Sequence, residues 1–158
     1  MRVDDLDSLN GVWVRLRAGR VLQPGDRFLA GRQVLRLVRE SGVSAPSAVG
    51  GVERLGARAT SSGYRLQVLG ADDSVLHDLR VPPDGCRIGR HLADLVFTDD
   101  DQLSATHAVV RPDAAGVRLD DLGSRNGTWL RVRGQLDLGV GDAFMTGRTV
   151  WRVSQPAR

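Results

Sequence analysis

The sequence predicts an all-β sandwich of two antiparallel sheets, and three observations support this fold class. Short apolar runs alternate with a period of two, as in Arg65 to Leu69 and again in Val117 to Leu122. Clusters of Gly, Asp and Pro separate these runs. No segment has a long 3.6-residue apolar period, which a packed helix would need. Strands at this spacing are typical of antiparallel sheets packed face to face.

The predicted strands follow one another from residue 65 to the end of the chain. Two turns are predicted from their composition, at Pro82 to Gly85 and at Pro112 to Gly116. Trp129 and Trp151 are interpreted as core residues. The strands are expected at residues 65–69, 75–81, 86–89, 95–98, 107–111, 117–122, 128–132, 143–146 and 149–153.

An internal repeat precedes this unit. Residues 1–37 align without a gap with residues 117–153, at an offset of 116, and about half of the aligned positions are identical. The second copy has an upstream part, before Val117, with no counterpart in the first. We therefore expect the first copy to be the C-terminal half of a second, partial sandwich. A fragment of a longer tandem protein, a misplaced start codon and a retained relic each explain this.

The repeat suggests a division of the chain. We expect a truncated half-domain at residues 1–38, a flexible linker rich in Gly, Ser and Pro at 39–63, a complete domain at 64–155 and a tail at 156–158. The apolar face of the half-domain needs a cover. It can pack on the second domain, pair with another copy of itself or require its missing half, so self-association through it is one expected partner mode.

Composition excludes several classes of protein. The net charge is only +3, although all 22 basic residues are Arg, and no dense basic tract suggests nucleic-acid binding. The single cysteine, Cys86, excludes an internal disulfide and is interpreted as a small buried residue. No signal segment and no run of 18 apolar residues is present, so we expect a cytoplasmic protein without a membrane partner. The codon bias implied by Arg over Lys indicates a GC-rich, bacterial genome.

Three loop motifs carry the candidate site. A phosphate ester has three acceptor oxygens and about −1.5 to −2 charges, so its site needs a cation, a hydroxyl and amide donors. Arg90 supplies a guanidinium fork, Ser104 a hydroxyl, Arg125 a second cation and Asn126 an amide. Gly127 permits a positive φ in the turn. The motifs are Ile88-Gly89-Arg90, Leu103-Ser-Ala-Thr-His-Ala108 and Asp121-Leu-Gly-Ser-Arg-Asn-Gly-Thr128.

In these ordered motifs, residues 64–153 resemble the forkhead-associated (FHA) family. The resemblance implies that Arg90 and Ser104 contact the phosphate, that Arg125 assists them and that Asn126 holds the peptide backbone. It assigns structural support to Gly89, His107 and Gly127, with His107 bracing the loops. It also implies a preference for phosphothreonine. One position departs from the family: Ala105 stands where Arg or Asn usually follows the motif serine.

The resulting hypothesis is a phosphothreonine-peptide-binding adaptor in Ser/Thr kinase signalling, whose partners are phosphorylated proteins, the kinase or its substrates. The alternative is a phospho-independent protein–protein scaffold, which Ala105 and the incomplete first unit favour. We expect no enzyme and no cofactor, because no nucleophile with a base, no paired carboxylates and no nucleotide loop are present. Asp99 to Asp101 lacks the spacing of a calcium loop and is interpreted as a solvated acidic turn without a metal.

Overall fold

The computed structural model describes residues 1–41 and 62–156, and within these ranges the protein is all-β. The described residues form fifteen strands and no helix, which confirms the predicted fold class. The strands are β1 Arg2–Asp4, β2 Val12–Arg15, β3 Arg20–Leu22, β4 Arg27–Ala30, β5 Gln33–Arg39, β6 Tyr64–Leu69, β7 Val75–Arg80, β8 Cys86–Gly89, β9 Leu95–Val96, β10 Ala108–Asp113, β11 Gly116–Asp121, β12 Thr128–Arg131, β13 Gln135–Asp137, β14 Ala143–Thr146 and β15 Thr149–Arg152.

Two sheets form the sandwich. The larger has eight strands in the order β15-β14-β2-β12-β4-β5-β6-β7, and the smaller has five in the order β3-β11-β10-β8-β9. A separate two-stranded sheet joins β1 to β13. All pairings are antiparallel except that of β8 with β9. The architecture agrees with an FHA-like sandwich of antiparallel sheets.

Strands of the two predicted units share these sheets. In the first unit, β3, β4 and β5 are hydrogen-bonded to β11, β12 and β6 of the second. In return, β13 and β14 of the second unit pair with β1 and β2 of the first. Of the three expected covers for the first unit, packing on the second is therefore the one observed. The unit boundaries stay predictions, and most of the predicted linker, residues 42–61, lies outside the described ranges.

The pairing registers obey the 116-residue offset. Val14 lies opposite Leu130 at the centre of the β2–β12 pair. Around this centre, Val12 pairs with Thr146 and Thr128 pairs with Ala30, which are equivalent positions in the two copies. The pairing is thus symmetric about the β2–β12 centre, and each copy completes its sheet with strands of the other.

The main core lies between the two sheets. The larger sheet contributes Phe28, Leu35 and Leu66, and the smaller contributes Ile88 and Leu119; all five are fully buried. Alternation along β5 and β6 directs every second side chain inward, which is the pattern the sequence showed. A smaller cluster, of Trp13, Trp129 and Ala143, lies apart from this core.

Three sequence predictions differ from the structure. Pro112 was placed in a turn but lies in β10, which continues to Asp113. The sequence does not predict strand β13, because its one partner among the described strands, β1, lies more than 130 residues earlier and its three residues have no diagnostic alternation. Trp151 was assigned to the core but is 52% exposed. This correction follows from its position on β15, an edge strand with a single neighbour among the described strands.

Replacement of Phe28 by Ala tests whether the first unit is part of the main core. Phe28 is fully buried, so Phe28→Ala should lower the free energy of unfolding by about 3–5 kcal/mol. The equivalent residue of the second copy, Phe144, is only partly buried, and Phe144→Ala should cost less. Urea unfolding followed by circular dichroism measures both. Equal costs, or a separate transition for the first unit, would contradict a shared core.

Candidate functional site

The loops after β8 and before β10 are joined by backbone hydrogen bonds. The Arg90 N–H donates to the carbonyl of Ser104 at 2.9 Å, and the Leu92 N–H donates to the carbonyl of Ala105 at 3.0 Å. A Cβ on Gly89 would collide with that Ala105 carbonyl, so glycine is required there for close approach rather than for a positive φ. These contacts bring the Arg90 and Ser104 loops together.

The side chain of Arg90 has unused hydrogen-bonding capacity. Its Nε is buried and has no hydrogen-bond partner, and no ion pair of Arg90 occurs within residues 1–41 and 62–156. A buried donor without an acceptor is costly, more so on a cation. An acceptor oxygen from a ligand or partner would remove that cost.

Ser104 and Asn126 are already used within the protein. The Ser104 Oγ accepts a hydrogen bond from the Arg125 N–H at 3.1 Å. The Asn126 Nδ2 donates to the backbone carbonyl of Gln102 at 2.9 Å and lies 3.1 Å from its side-chain oxygen. Both side chains therefore connect the loop before β10 to the loop before β12. The Arg125 side chain is exposed, and no ion pair is found for it among the described residues.

His107 connects the same two loops by hydrogen bonds from the protein interior. It is fully buried. Its Nδ1 accepts from the Ser104 N–H at 3.2 Å, and its Nε2 lies 3.0 Å from the carbonyl oxygen of Gly127. Since a carbonyl can only accept, Nε2 carries the proton. Burial lowers the pKa of His107, and this outweighs the opposing effects of the Gly127 carbonyl and of nearby carboxylates.

Asp121 shapes the loop that carries Arg125 and Asn126. One carboxylate oxygen accepts from the hydroxyls of Ser124 at 2.5 Å and Thr128 at 2.6 Å. The other accepts from the Ser124 N–H at 3.0 Å. Burial opposes ionisation of Asp121, but these hydrogen bonds prevail and its pKa is lowered. The loop is therefore built around a carboxylate.

The structure thus connects the four predicted contact residues at one end of the sandwich. Hydrogen bonds link Arg90 to Ser104 and Ser104 to Arg125, and Asn126 follows in the chain. The predicted supporting residue Gly127 has a φ of 82°. Whether these residues bind phosphate or peptide remains a prediction.

The first unit supports this site in ways that the sequence did not reveal. The guanidinium of Arg15 packs over Gly127, in the turn after Asn126. Asp100 was expected to be solvated, but it is buried and accepts from the Arg32 N–H at 2.8 Å and the Gln102 N–H at 3.0 Å. No local signal identifies Asp100, because its partner Arg32 is 68 positions away.

Neither a metal-binding group of side chains nor a membrane-spanning helix is found among the described residues. No group of three or more His, Cys, Asp or Glu side chains is arranged to hold a metal ion in residues 1–41 and 62–156. In the same ranges no helix has the length and apolarity to cross a membrane.

One family model matches the chain, over residues 67–157, and its description is inner membrane component of T3SS, cytoplasmic domain. The protein belongs to this family. The T3SS family domain is FHA-like, which agrees with the resemblance seen in the loop motifs. The family model covers the predicted complete domain except its first three residues, and it covers none of the first copy. No curated protein and no solved structure matches the chain significantly.

His107 should make stability depend on pH. The ordinary pKa is 6.5 and the folded value is lower, so on acidification the unfolded state takes up a proton first. The free energy of unfolding should therefore fall as the pH drops through about 6.5. His107→Gln should lower stability but flatten this slope.

The control is His91→Gln, which changes an exposed histidine and should leave the slope intact. The lowered pKa of Asp121 contributes only as the pH falls towards and below 3.8, outside this range. Chemical unfolding at a series of pH values provides the measurement. An unchanged slope in His107→Gln would contradict the assignment.

Proposed function

We propose that this protein is a protein–protein assembly module, which binds a partner of a T3SS-type complex on the cytoplasmic side of the inner membrane and catalyses no reaction. The family description supports the setting, because it names an inner membrane component and its cytoplasmic domain. In this proposal the loop end is a binding surface that requires no phosphate on the partner.

The observation that carries this proposal is the internal use of Ser104 and Asn126. Each belongs to the predicted phosphopeptide contacts, yet Ser104 Oγ accepts from Arg125 and the Asn126 amide donates to Gln102. The Asn126 amide would have to break its bonds to Gln102 to donate to a ligand, which would cost part of what the ligand returns. The absence of a longer polar side chain at Ala105 removes a further peptide contact.

The loop end also presents apolar side chains suited to a protein partner. Leu92 is 71% exposed, and its backbone is bonded to Ala105, beside the Ser104 loop. Leu122 is 38% exposed and is bonded through its backbone to His107. Exposed leucines on these loops, together with the exposed Arg125, give the mixture of apolar and arginine side chains that protein interfaces favour.

A photo-crosslinker at the loop end tests this proposal in the cell of origin. A benzoylphenylalanine at position 125 should capture a discrete protein, and phosphatase treatment of the extract before irradiation should leave the yield unchanged. The same probe at position 111, an exposed arginine on β10, is the matched control. Equal products from both positions would refute the loop end as the binding surface, and loss after phosphatase would refute phosphate independence.

Phosphothreonine-peptide binding is the second candidate, and one observation favours it. The buried Arg90 Nε has no acceptor, whereas Ser104, bonded through its backbone to Arg90, keeps its hydroxyl proton for donation. A phosphate held between them would satisfy both groups. In this case the adaptor would act downstream of a Ser/Thr kinase, with the phosphorylated protein as its partner.

Titration of a phosphothreonine peptide library, with phosphoserine and unmodified controls, tests the second candidate. Arg90→Ala should weaken phosphopeptide binding by about 1.5–3 kcal/mol, because a charge-assisted hydrogen bond is lost. Arg148→Ala, at an exposed site, should change nothing. Equal binding of phosphorylated and unmodified peptides would exclude phosphate recognition, and would leave the assembly proposal standing.

A further inference from the structure

Strand β15, at one edge of the large sheet, exposes apolar side chains. Strand β15 is hydrogen-bonded to β14 and has no second neighbour among the strands of residues 1–41 and 62–156. Trp151 on this strand is 52% exposed and stacks on Phe144 with ring centroids 6.4 Å apart. Edge strands with exposed aromatic residues are templates for pairing with another chain.

The other copy of the repeat shows how this position can be covered. Strand β5, the equivalent of β15, pairs with β4 on one side and with β6 on the other. Leu35, which is 116 positions before Trp151, is fully buried opposite Val68 of β6. Leu37, the counterpart of the partly exposed Val153, is fully buried opposite Leu66. The smaller sheet covers these residues, and a strand like β6 extends the large sheet beside them at the edge that β15 leaves open.

The polar residues of the β5–β6 pair also have equivalents on the open β15 edge. Arg36 lies opposite Gln67, and its Nε and second guanidinium nitrogen donate to the Gln67 side-chain oxygen at 3.1 and 2.8 Å. The equivalent of Arg36 on the open edge is Arg152. Its side chain is exposed, and no hydrogen bond or ion pair is found for it within the described residues. An acceptor side chain opposite Arg152 is therefore expected.

We propose that the β15 edge, with Phe144, Trp151 and Val153, is the docking site for an extended strand of another protein. The strand adds antiparallel to β15 by main-chain hydrogen bonds, and its apolar residues lie opposite Trp151 and Val153. Between them it carries a glutamine or an acidic residue opposite Arg152. This is the alternation of Tyr64–Leu69, which is the strand that covers β5.

A second copy of the chain is a less suitable partner, because its covering strand is already paired. The described residues contain two equivalent faces, at β5 and β15, and one covering strand, β6, which is already paired with β5. A copy that donated β6 to its neighbour would expose its own Leu35. We therefore take a different polypeptide as the occupant, and pairing between the β15 or β7 edges of two copies is an outcome of the test below. This docking site is distinct from the loop end and does not depend on the function proposed there.

A synthetic peptide of residues 62–81 is the probe, because it carries the β6 and β7 strands. Isothermal titration to the full chain should show saturable one-to-one binding. Trp151→Asp should weaken it at least about tenfold, since a charge replaces the apolar contact. Leu76→Asp, at a 58% exposed position on β7 at the opposite edge of the sheet, should bind like the wild type.

A charge exchange tests the register without altering the apolar face. Arg152→Glu should weaken binding of the natural peptide, and a peptide with Gln67→Arg should restore it. No saturable binding, or binding that Trp151→Asp leaves unchanged, would overturn the proposal. A concentration-dependent dimer of the chain alone that Trp151→Asp abolishes would also overturn it, because the occupant would then be a second copy.

Discussion

The antiparallel pairing of β2 with β12 is the constraint on which the rest of the structure depends. Val14 and Leu130, at equivalent positions of the repeat, meet at its centre. An antiparallel pair of equivalent strands has two-fold symmetry, so the outer edges of β2 and β12 are equivalent. Strand β4 takes the edge of β12 and β14 takes the edge of β2, so the copies exchange their closing strands. A large continuous sheet results in place of two separate halves.

This exchange explains the uneven burial of equivalent residues. The core needs a second sheet opposite the first, and the described residues supply one, β3-β11-β10-β8-β9. The face at β4 and β5 receives that cover, so Phe28 and Leu35 are fully buried. Their equivalents on β14 and β15 remain accessible. The two faces have nearly the same apolar composition, so their different burial results from the position of the second sheet.

The loop end shows how a site can be both rigid and incomplete. His107 and Asp121, each partly or wholly removed from solvent, join the loops by hydrogen bonds whose partners are all within the protein. The Arg90 side chain is the exception, with a buried donor that no group in the described part of the chain satisfies. A rigid frame around one unsatisfied cation favours recognition of an acceptor group, whereas the exposed leucines beside it favour a broader protein surface. The family setting supports the second use more strongly.

The sequence by itself determined most of the strands, the turns other than the one at Pro112, and the loop motifs, because these depend on local alternation and on residues a few positions apart. Strands β8 and β14 have the predicted bounds, and Arg90, Ser104 and Asn126 lie in connected loops as their order indicated. The repeat itself was also legible, since it is a property of the sequence alone.

Only the tertiary structure decided which strands of the repeat pair with which. The partners of β13 and Asp100 lie far away in the chain, and two equivalent copies offer the same local pattern to either choice. Local alternation cannot distinguish a strand paired within its own copy from one exchanged with the other. Burial of the shared core makes that choice. Because the sequence does not show where the second sheet lies, it predicts burial for Trp151, which the structure leaves exposed.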